Sequence, residues 1–157
     1  MPSIERKIVL FLVTGAGAGY CPRFPGTVGT IVAIPLSLGL NRLAIVSLPL
    51  ALLVLAGGIA CAILLSTKAA EILGQKDPAI IIIDEIVGFL LANFVSPPGV
   101  VALGSAFVLF RIFDIAKVYP ASKLQMLPGG SGIVLDDIMA GLYTFLILRV
   151  FSSLGVL

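Results

Sequence analysis

The sequence predicts an all-α fold: a polytopic membrane helical bundle with about five membrane-embedded helices and an N-terminal interfacial or re-entrant segment. Three observations carry that expectation. Of 157 residues, 59% are hydrophobic and only 11% are charged, against usual shares of ~45–50% and ~25%. The mean hydropathy of +1.19 belongs to a chain solvated by lipid. Five apolar segments lie between turn signals. Ten Lys/Arg and eight Asp/Glu cannot cover a soluble domain of this size, which excludes a soluble enzyme and a disordered chain. A net charge of +2 is too small to mark a nucleic-acid partner.

The elements follow in order. Residues 8–20 are too short and too glycine-rich to span, so they are expected at the interface or re-entering it. Arg6, Lys7, the run IVLFLV and Ala16-Gly17-Ala18 loosely imitate a secretory signal. The run is short, however, and GYCPRFPGT is not a generic mature start, so no cleavage is expected. The first apolar segment covers about 27–40, after Pro25-Gly26, and the second about 43–66. The second contains 23 uncharged residues, LAIVSLPLALLVLAGGIACAILL, enough to cross a ~30 Å hydrocarbon layer. The third runs about 79–96 to Ser96-Pro97-Pro98-Gly99, the fourth about 99–116, and the fifth about 132–151 after Pro128-Gly129-Gly130. In lipid, segments of this length must be helices, because every backbone amide needs an internal partner. No linker or repeat divides the chain, so residues 1–157 are expected to form one domain.

Orientation follows from the basic residues. If the first segment leaves the cytoplasm, Arg6, Lys7, Arg23, Lys68, Lys76, Lys117 and Lys123 lie inside. Arg42 and Arg149 lie outside, and Arg111 sits within a helix. That is a positive-inside distribution.

Six of the eight acids fall in three stretches: Asp77 with Asp84-Glu85, Asp114, and Asp136-Asp137. Five of them interrupt apolar runs (IIIIDEIVGFLL, FRIFDIAKV, GIVLDDIMAGLY). Each costs about 2.5–3.5 kcal/mol at mid-helix, so five unpaired acids would cost about 12–17 kcal/mol. They must sit near the interface, face inward or share cations. In the orientation above they all fall within about two helical turns of the cytoplasmic face, so different helices aim carboxylates at one level. Acid clusters without histidine favour a hard cation with oxygen ligands, and Mg²⁺ typically grips a phosphate while keeping waters. A plainer reading stands beside this one. Asp136 and Asp137 would lie near a helix N-terminus, favoured by its dipole, and Asp114 has Arg111 and Lys117 three residues away on either side. Asp77 suits an N-cap before Pro78, or lies two turns above Asp84 on one face.

The stretch GAGAGYCPRFPGT offers glycine amides to an anion, with Arg23 and Thr27 as added donors. Gly15 and Gly19 equally suit helix packing. The loop Pro128-Gly129-Gly130-Ser131-Gly132 is a second amide-rich approach to a helix, or a flexible turn. The chain has no His, which excludes histidine-dependent phosphoryl chemistry and His-ligated metals. Neither Cys21 nor Cys61 has the Arg six residues on that a cysteine phosphatase needs; Thr27 and Thr67 stand there. The cysteines read as small apolar fillers. The D-x-D of haloacid-type phosphatases is absent.

Taken together, GAGYCPRFPGTVGTIVAIP, IIIIDEIVGFLLA, FRIFDIAKVYP and GGSGIVLDDIMAGLY, spread over residues 17 to 143, resemble in order and spacing the phosphatidylglycerophosphatase A family. The resemblance implies a Mg²⁺-dependent membrane phosphatase that removes the terminal phosphate of phosphatidylglycerophosphate. Carried over by position, the family's acidic motif residues fall on Asp84, Glu85, Asp114, Asp136 and Asp137, as catalytic and metal-binding groups. Its basic motif residues fall on Arg111 and Lys117, which join Arg23 and Thr27 as expected substrate-binding groups. Cys21 stands where a Ser is usual, Lys117-Val118-Tyr119-Pro120 replaces a Lys-Pro-x-Pro element, and Asp77-Pro78 replaces a more polar approach. The implied setting is a multi-pass protein of a bacterial-type inner (cytoplasmic) membrane. Its site faces the cytoplasm, and its partners are the lipid substrate and the bilayer. Water attack and an aspartyl-phosphate both fit the residues. The alternative is an ion or proton transporter, which predicts acids strung across the membrane depth.

Overall fold

A computed structural model describes residues 3–157. The described residues form helices joined by turns, with no strand: α1 (Ile4–Val13), α2 (Pro25–Val46), α3 (Leu48–Leu73), α4 (Ile83–Ala92), α5 (Val100–Ala116), α6 (Ala121–Leu124) and α7 (Gly130–Ser153). A single 3₁₀ turn, Ala18–Tyr20, precedes α2. Pro25 opens α2 at a position where its missing N–H costs nothing, Pro49 does the same for α3, and Gly74 closes α3 in the left-handed conformation. α2 extends beyond the expected 27–40 at both ends and α3 lies later than the expected 43–66, with their break at Ser47 rather than at Arg42.

Both α2, with 22 residues, and α3, with 26, are long and apolar enough to cross a membrane. Their outer faces expose Ile31, Leu36, Leu38, Leu52, Leu53 and Leu64. Such a surface is stable only against hydrocarbon, and this is a membrane protein.

The third segment, expected as a helix over 79–96, forms only the ten residues of α4, about 15 Å of helix. Upstream, Asp77-Pro78 disfavours helical backbone, and the chain bonds elsewhere: Ile82 donates its N–H to Val13 O at the end of α1 (2.9 Å). Downstream, α4 stops inside the bundle, where free carbonyls need partners. Asn41 of α2 donates to Asn93 O (2.9 Å) and accepts from the Val95 N–H (2.8 Å). Asn93 donates to Ser37 Oγ (3.0 Å), and Arg149 of α7 donates to Val95 O (2.7 Å). Each bond contributes about 1 kcal/mol net, and together they let the short helix end at depth.

α4 is the axis of the fold. It is packed against α2, α3, α5 and, most extensively, α7. Ile86, Phe89 and Ala92 join Ala33, Phe110 and Ala140 in the main core, with Phe89 edge-on to Phe110 at a centroid separation of 5.9 Å. The closest approach is between α4 and α7. A Cβ on Gly141 would lie 2.3 Å from Gly88 O, and one on Gly88 would lie 2.9 Å from Asp137 O. Only glycine permits these two backbones to touch.

The N-terminal stretch expected as interfacial or re-entrant over 8–20 is α1 followed by turns. α1 lies on α3, with Glu5 and Lys68 ion-paired at 2.9 Å and Val9 and Val13 packed with Ala69, Ile81 and Ile133. Gly19 is committed to packing, since a Cβ there would lie 2.1 Å from Ile80 O. Cys21 and Cys61 are free thiols, and Cys61 lies exposed on α3 rather than filling the core.

Candidate active site

The three acidic stretches converge. Asp84 and Glu85 lie in the first turn of α4, Asp114 in the last turn of α5, and Asp136 and Asp137 two turns into α7. All five carboxylates, with Lys117 and Asp77, line one cavity of about 220 Å³ at the end of the bundle where α2, α4 and α7 begin. The acids are thus gathered at one end, not strung along the helix axes.

The helix ends explain the placement. Asp84 and Glu85, rather than Asp136-Asp137, take the N-terminal dipole position. Asp136 and Asp137 fall in the interior of α7, which begins at Gly130, so the expectation that they sit by its N-terminus is corrected. Asp77 is no N-cap either, because α4 starts at Ile83 with Ile82 as its cap. Asp77 is exposed on the preceding loop and still reaches the cavity wall.

Two of the acids have cationic partners. Arg111 pairs with Asp114 on its own helix, three residues on. Lys117 pairs with Asp136 across the gap to α7, not with Asp114. Lys117 caps α5 with φ of 44°, a left-handed conformation that costs a non-glycine residue about 1–2 kcal/mol. The ion pair holds it there. Burial opposes the Lys117 charge, but its hydrogen bond and attraction to Asp136 outweigh this and raise the ammonium pKa. Arg111 Nη1 and Glu85 Oε1 are both seated on the Cα of Gly26, where a Cβ would lie 2.9 Å and 2.2 Å from them.

Among the described residues, Asp84, Glu85 and Asp137 form no ion pair with a cationic side chain. Each offers a carboxylate oxygen within 4.8 Å of the others, close to the span of two oxygens on one hard cation at ~2.1–2.5 Å each. Asp84 and Asp137 are 8% and 3% exposed. Asp84 Oδ1, Glu85 Oε2, Asp136 Oδ1 and Asp137 Oδ2 are buried without a hydrogen-bond partner. Leaving such oxygens bare costs several kcal/mol per ion, so the donor set fits a divalent cation of the Mg²⁺ or Ca²⁺ kind.

The other expected substrate groups are placed differently. Arg23 is exposed, and neither it nor Thr27 lines the acidic cavity. Of the glycine loop before α7, the Gly130 N–H is taken by Thr67 Oγ1 (2.8 Å) and the Gly132 N–H by Gly129 O (3.2 Å). Those two amides are not open to an anion. A spacing in the sequence marks the site. Asp84 and Gly88, and Asp137 and Gly141, are each four residues apart, so each contact glycine sits one turn beyond a carboxylate. The close approach of the helices is what brings those acids together.

Comparison with known proteins gives a consistent picture. The family model described as Phosphatidylglycerophosphatase A matches residues 11–152. A Bacteroides thetaiotaomicron protein named "Putative phosphatidylinositol-3-phosphatase" is 33% identical over 147 residues, covering 87% of this chain and 89% of that one. The Phosphatidylglycerophosphatase A of Escherichia coli is 34% identical over 134 residues, covering 83% of this chain and 75% of its own. The protein of that name from Haemophilus influenzae is 31% identical over 138 residues, covering 87% and 83%. No solved structure matches the chain.

Proposed function

This chain belongs to the phosphatidylglycerophosphatase A family, and from that premise we propose that it is a Mg²⁺-dependent enzyme hydrolysing the terminal phosphate of phosphatidylglycerophosphate to phosphatidylglycerol and phosphate. The observation that carries the reading is the trio Asp84, Glu85 and Asp137, gathered in one cavity without cationic partners. The relative named for phosphatidylinositol-3-phosphate chemistry fits the same class, a phosphomonoester on the polyol head of a phosphodiester lipid.

Asp84, Glu85 and Asp137 would hold the Mg²⁺. Bound there, the ion supplies charge neutralisation at the phosphate oxygens and a lowered pKa for coordinated water. Lys117, held by Asp136, and Arg111, held by Asp114, keep positive charge beside the acids. An ammonium and a guanidinium so fixed can bind phosphate oxygens with little further ordering cost. A carboxylate free of the cation can accept the proton of an attacking water. Burial of the pocket under α4 and α7 strengthens each of these interactions by limiting competing water.

We place the cavity at the cytoplasmic face of a bacterial-type inner membrane, in a multi-pass chain with α2, α3, α5 and α7 spanning and α4 embedded without spanning. The motivation is that the acidic end of the bundle is also the end where Lys68, Lys76, Lys117 and Lys123 lie. In a background with both native cysteines replaced, Lys123→Cys should react with an impermeant thiol reagent from the cytoplasmic side alone, and Pro98→Cys from the opposite side alone. Labelling of both from one side would overturn the arrangement.

The reaction is tested by phosphate release from the purified protein in neutral detergent micelles. Phosphatidylglycerophosphate should be hydrolysed with Mg²⁺ and not after chelation, with soluble glycerophosphate a poor substrate. Equal specificity constants for lipid and soluble phosphate would contradict a site built at a membrane surface, and full activity after chelation would remove the metal.

A further inference from the structure

Beside the acidic cavity, at the same end of the bundle, lies a second of about 250 Å³. Lys76 and Gln125 line it, and the exposed apolar side chains of Met126 and Leu127 form its rim. The two cavities share Asp77 and Ile133 as a common wall.

We propose that this second cavity is the subsite for the phosphodiester group of the lipid head, with Lys76 as its cation and Gln125 as its amide donor. Asp77, on the shared wall, accepts a hydrogen bond from the hydroxyl of the polyol between the two phosphates. The assignment rests on the acidic cavity being the phosphomonoester site.

The chemistry of the head group sets what must be found. A phosphomonoester in the acidic cavity is joined through a short polyol to a second, singly charged phosphate, and beyond that phosphate the molecule becomes apolar. The site therefore needs an adjoining recess with positive charge that opens onto an apolar rim. Arg111 and Lys117, paired with Asp114 and Asp136, stand beside the acids and serve the phosphomonoester; neither they nor Arg23 line the second cavity. Lys76 is exposed and has no acidic partner among the described residues, so its ammonium is available to an anion. The Gln125 amide can present N–H to a phosphate oxygen, as an uncharged donor that tolerates the nearby Asp77. Asp77 is badly placed for a phosphate, being of like charge, and well placed for a hydroxyl. Met126, 75% exposed, gives the glyceride end of the lipid an apolar surface as it returns to the bilayer.

The test compares wild type with Lys76→Met, Lys76→Arg and Lys123→Met in neutral detergent micelles. Lys123 is a cation on the same face that lines neither cavity. Three lipids separate the contributions: phosphatidylglycerophosphate, phosphatidic acid (a monoester with no diester) and phosphatidylglycerol (a diester with no monoester, used as a competitor). Loss of one charge-assisted contact should raise the KM of Lys76→Met for phosphatidylglycerophosphate about tenfold and leave kcat within about twofold. The inhibition constant for phosphatidylglycerol should rise by the same factor, the constants for phosphatidic acid should not change, and Lys76→Arg should restore most of the loss. Lys123→Met should behave as wild type. An unchanged KM in Lys76→Met, or an equal loss in Lys123→Met or on phosphatidic acid, would overturn the subsite in favour of general attraction of anionic lipid. If wild type releases no phosphate from phosphatidylglycerophosphate, the proposed reaction itself fails. The subsite is then judged on phosphatidylglycerol binding alone, which Lys76→Met must weaken.

Discussion

Asp137→Asn is expected to lower turnover of phosphatidylglycerophosphate by about 10²–10⁴-fold, the range set by losing several kcal/mol of metal-assisted charge stabilisation. The side chain is 3% exposed, one of its oxygens has no hydrogen-bond partner, and it converges with Asp84 and Glu85. The amide keeps shape and removes one charge from the cation's ligands. A second readout separates ligand loss from misfolding. Mg²⁺ should raise the melting temperature of wild type in detergent, because it binds the folded state alone, and should raise that of Asp137→Asn much less. In chelator the order should reverse, with the variant melting higher than wild type, since one of three crowded carboxylates without a cationic partner is gone. Asp84→Asn should follow the same pattern. Asp77→Asn should reduce activity far less, because Asp77 is exposed on a loop outside the convergent trio. Near-normal turnover in both Asp84→Asn and Asp137→Asn would sink the carboxylate site.

Gly141→Ala carries the second large effect, through geometry alone. The added methyl would lie 2.3 Å from Gly88 O, and a backbone carbonyl in the middle of a packed helix cannot swing aside. α4 and α7 must separate, at a cost of about 1–3 kcal/mol or more. Since Asp84 and Asp137 sit one turn from these glycines, their carboxylates move apart too. A displacement near 1 Å costs about 10²-fold in rate, so activity should fall further than the melting temperature alone would suggest. Gly57→Ala on α3 is the control. A methyl there meets nothing within 4 Å, and alanine is the better helix former, so stability should be equal or slightly raised. A Gly141→Ala protein that melts and turns over as wild type does would show that the contact is not tight.

Much of this molecule is written in local patterns. Apolar runs too long and too uncharged for a soluble domain dictate helices in lipid, because no other backbone satisfies its own amides there. The extents of α5 and α7 lie within two residues of the expected 99–116 and 132–151. Acids inside such runs announce a site because their desolvation cost has no other local explanation, and the five so marked do share one cavity.

What local pattern could not supply is any relation between residues far apart in the chain. Lys117 stands three residues from Asp114 yet bonds Asp136, nineteen residues on, because Asp114 is taken by Arg111 and α5 ends facing α7. The 79–96 run is apolar enough for a full helix. It is cut to ten residues because its flanks find hydrogen-bond partners on α1, α2 and α7. Arg23 and Thr27 read as phosphate donors beside their glycines, but Gly15, Gly19 and Gly26 serve close packing, and neither side chain lines the cavity. Composition and hydrophobic run length determine which segments are helical and which acids are costly. Only the contacts among α4, α5 and α7 decide which of those acids are neutralised by a neighbouring cation and which three remain for a ligand, because that depends on distances between helices and not on spacing along one.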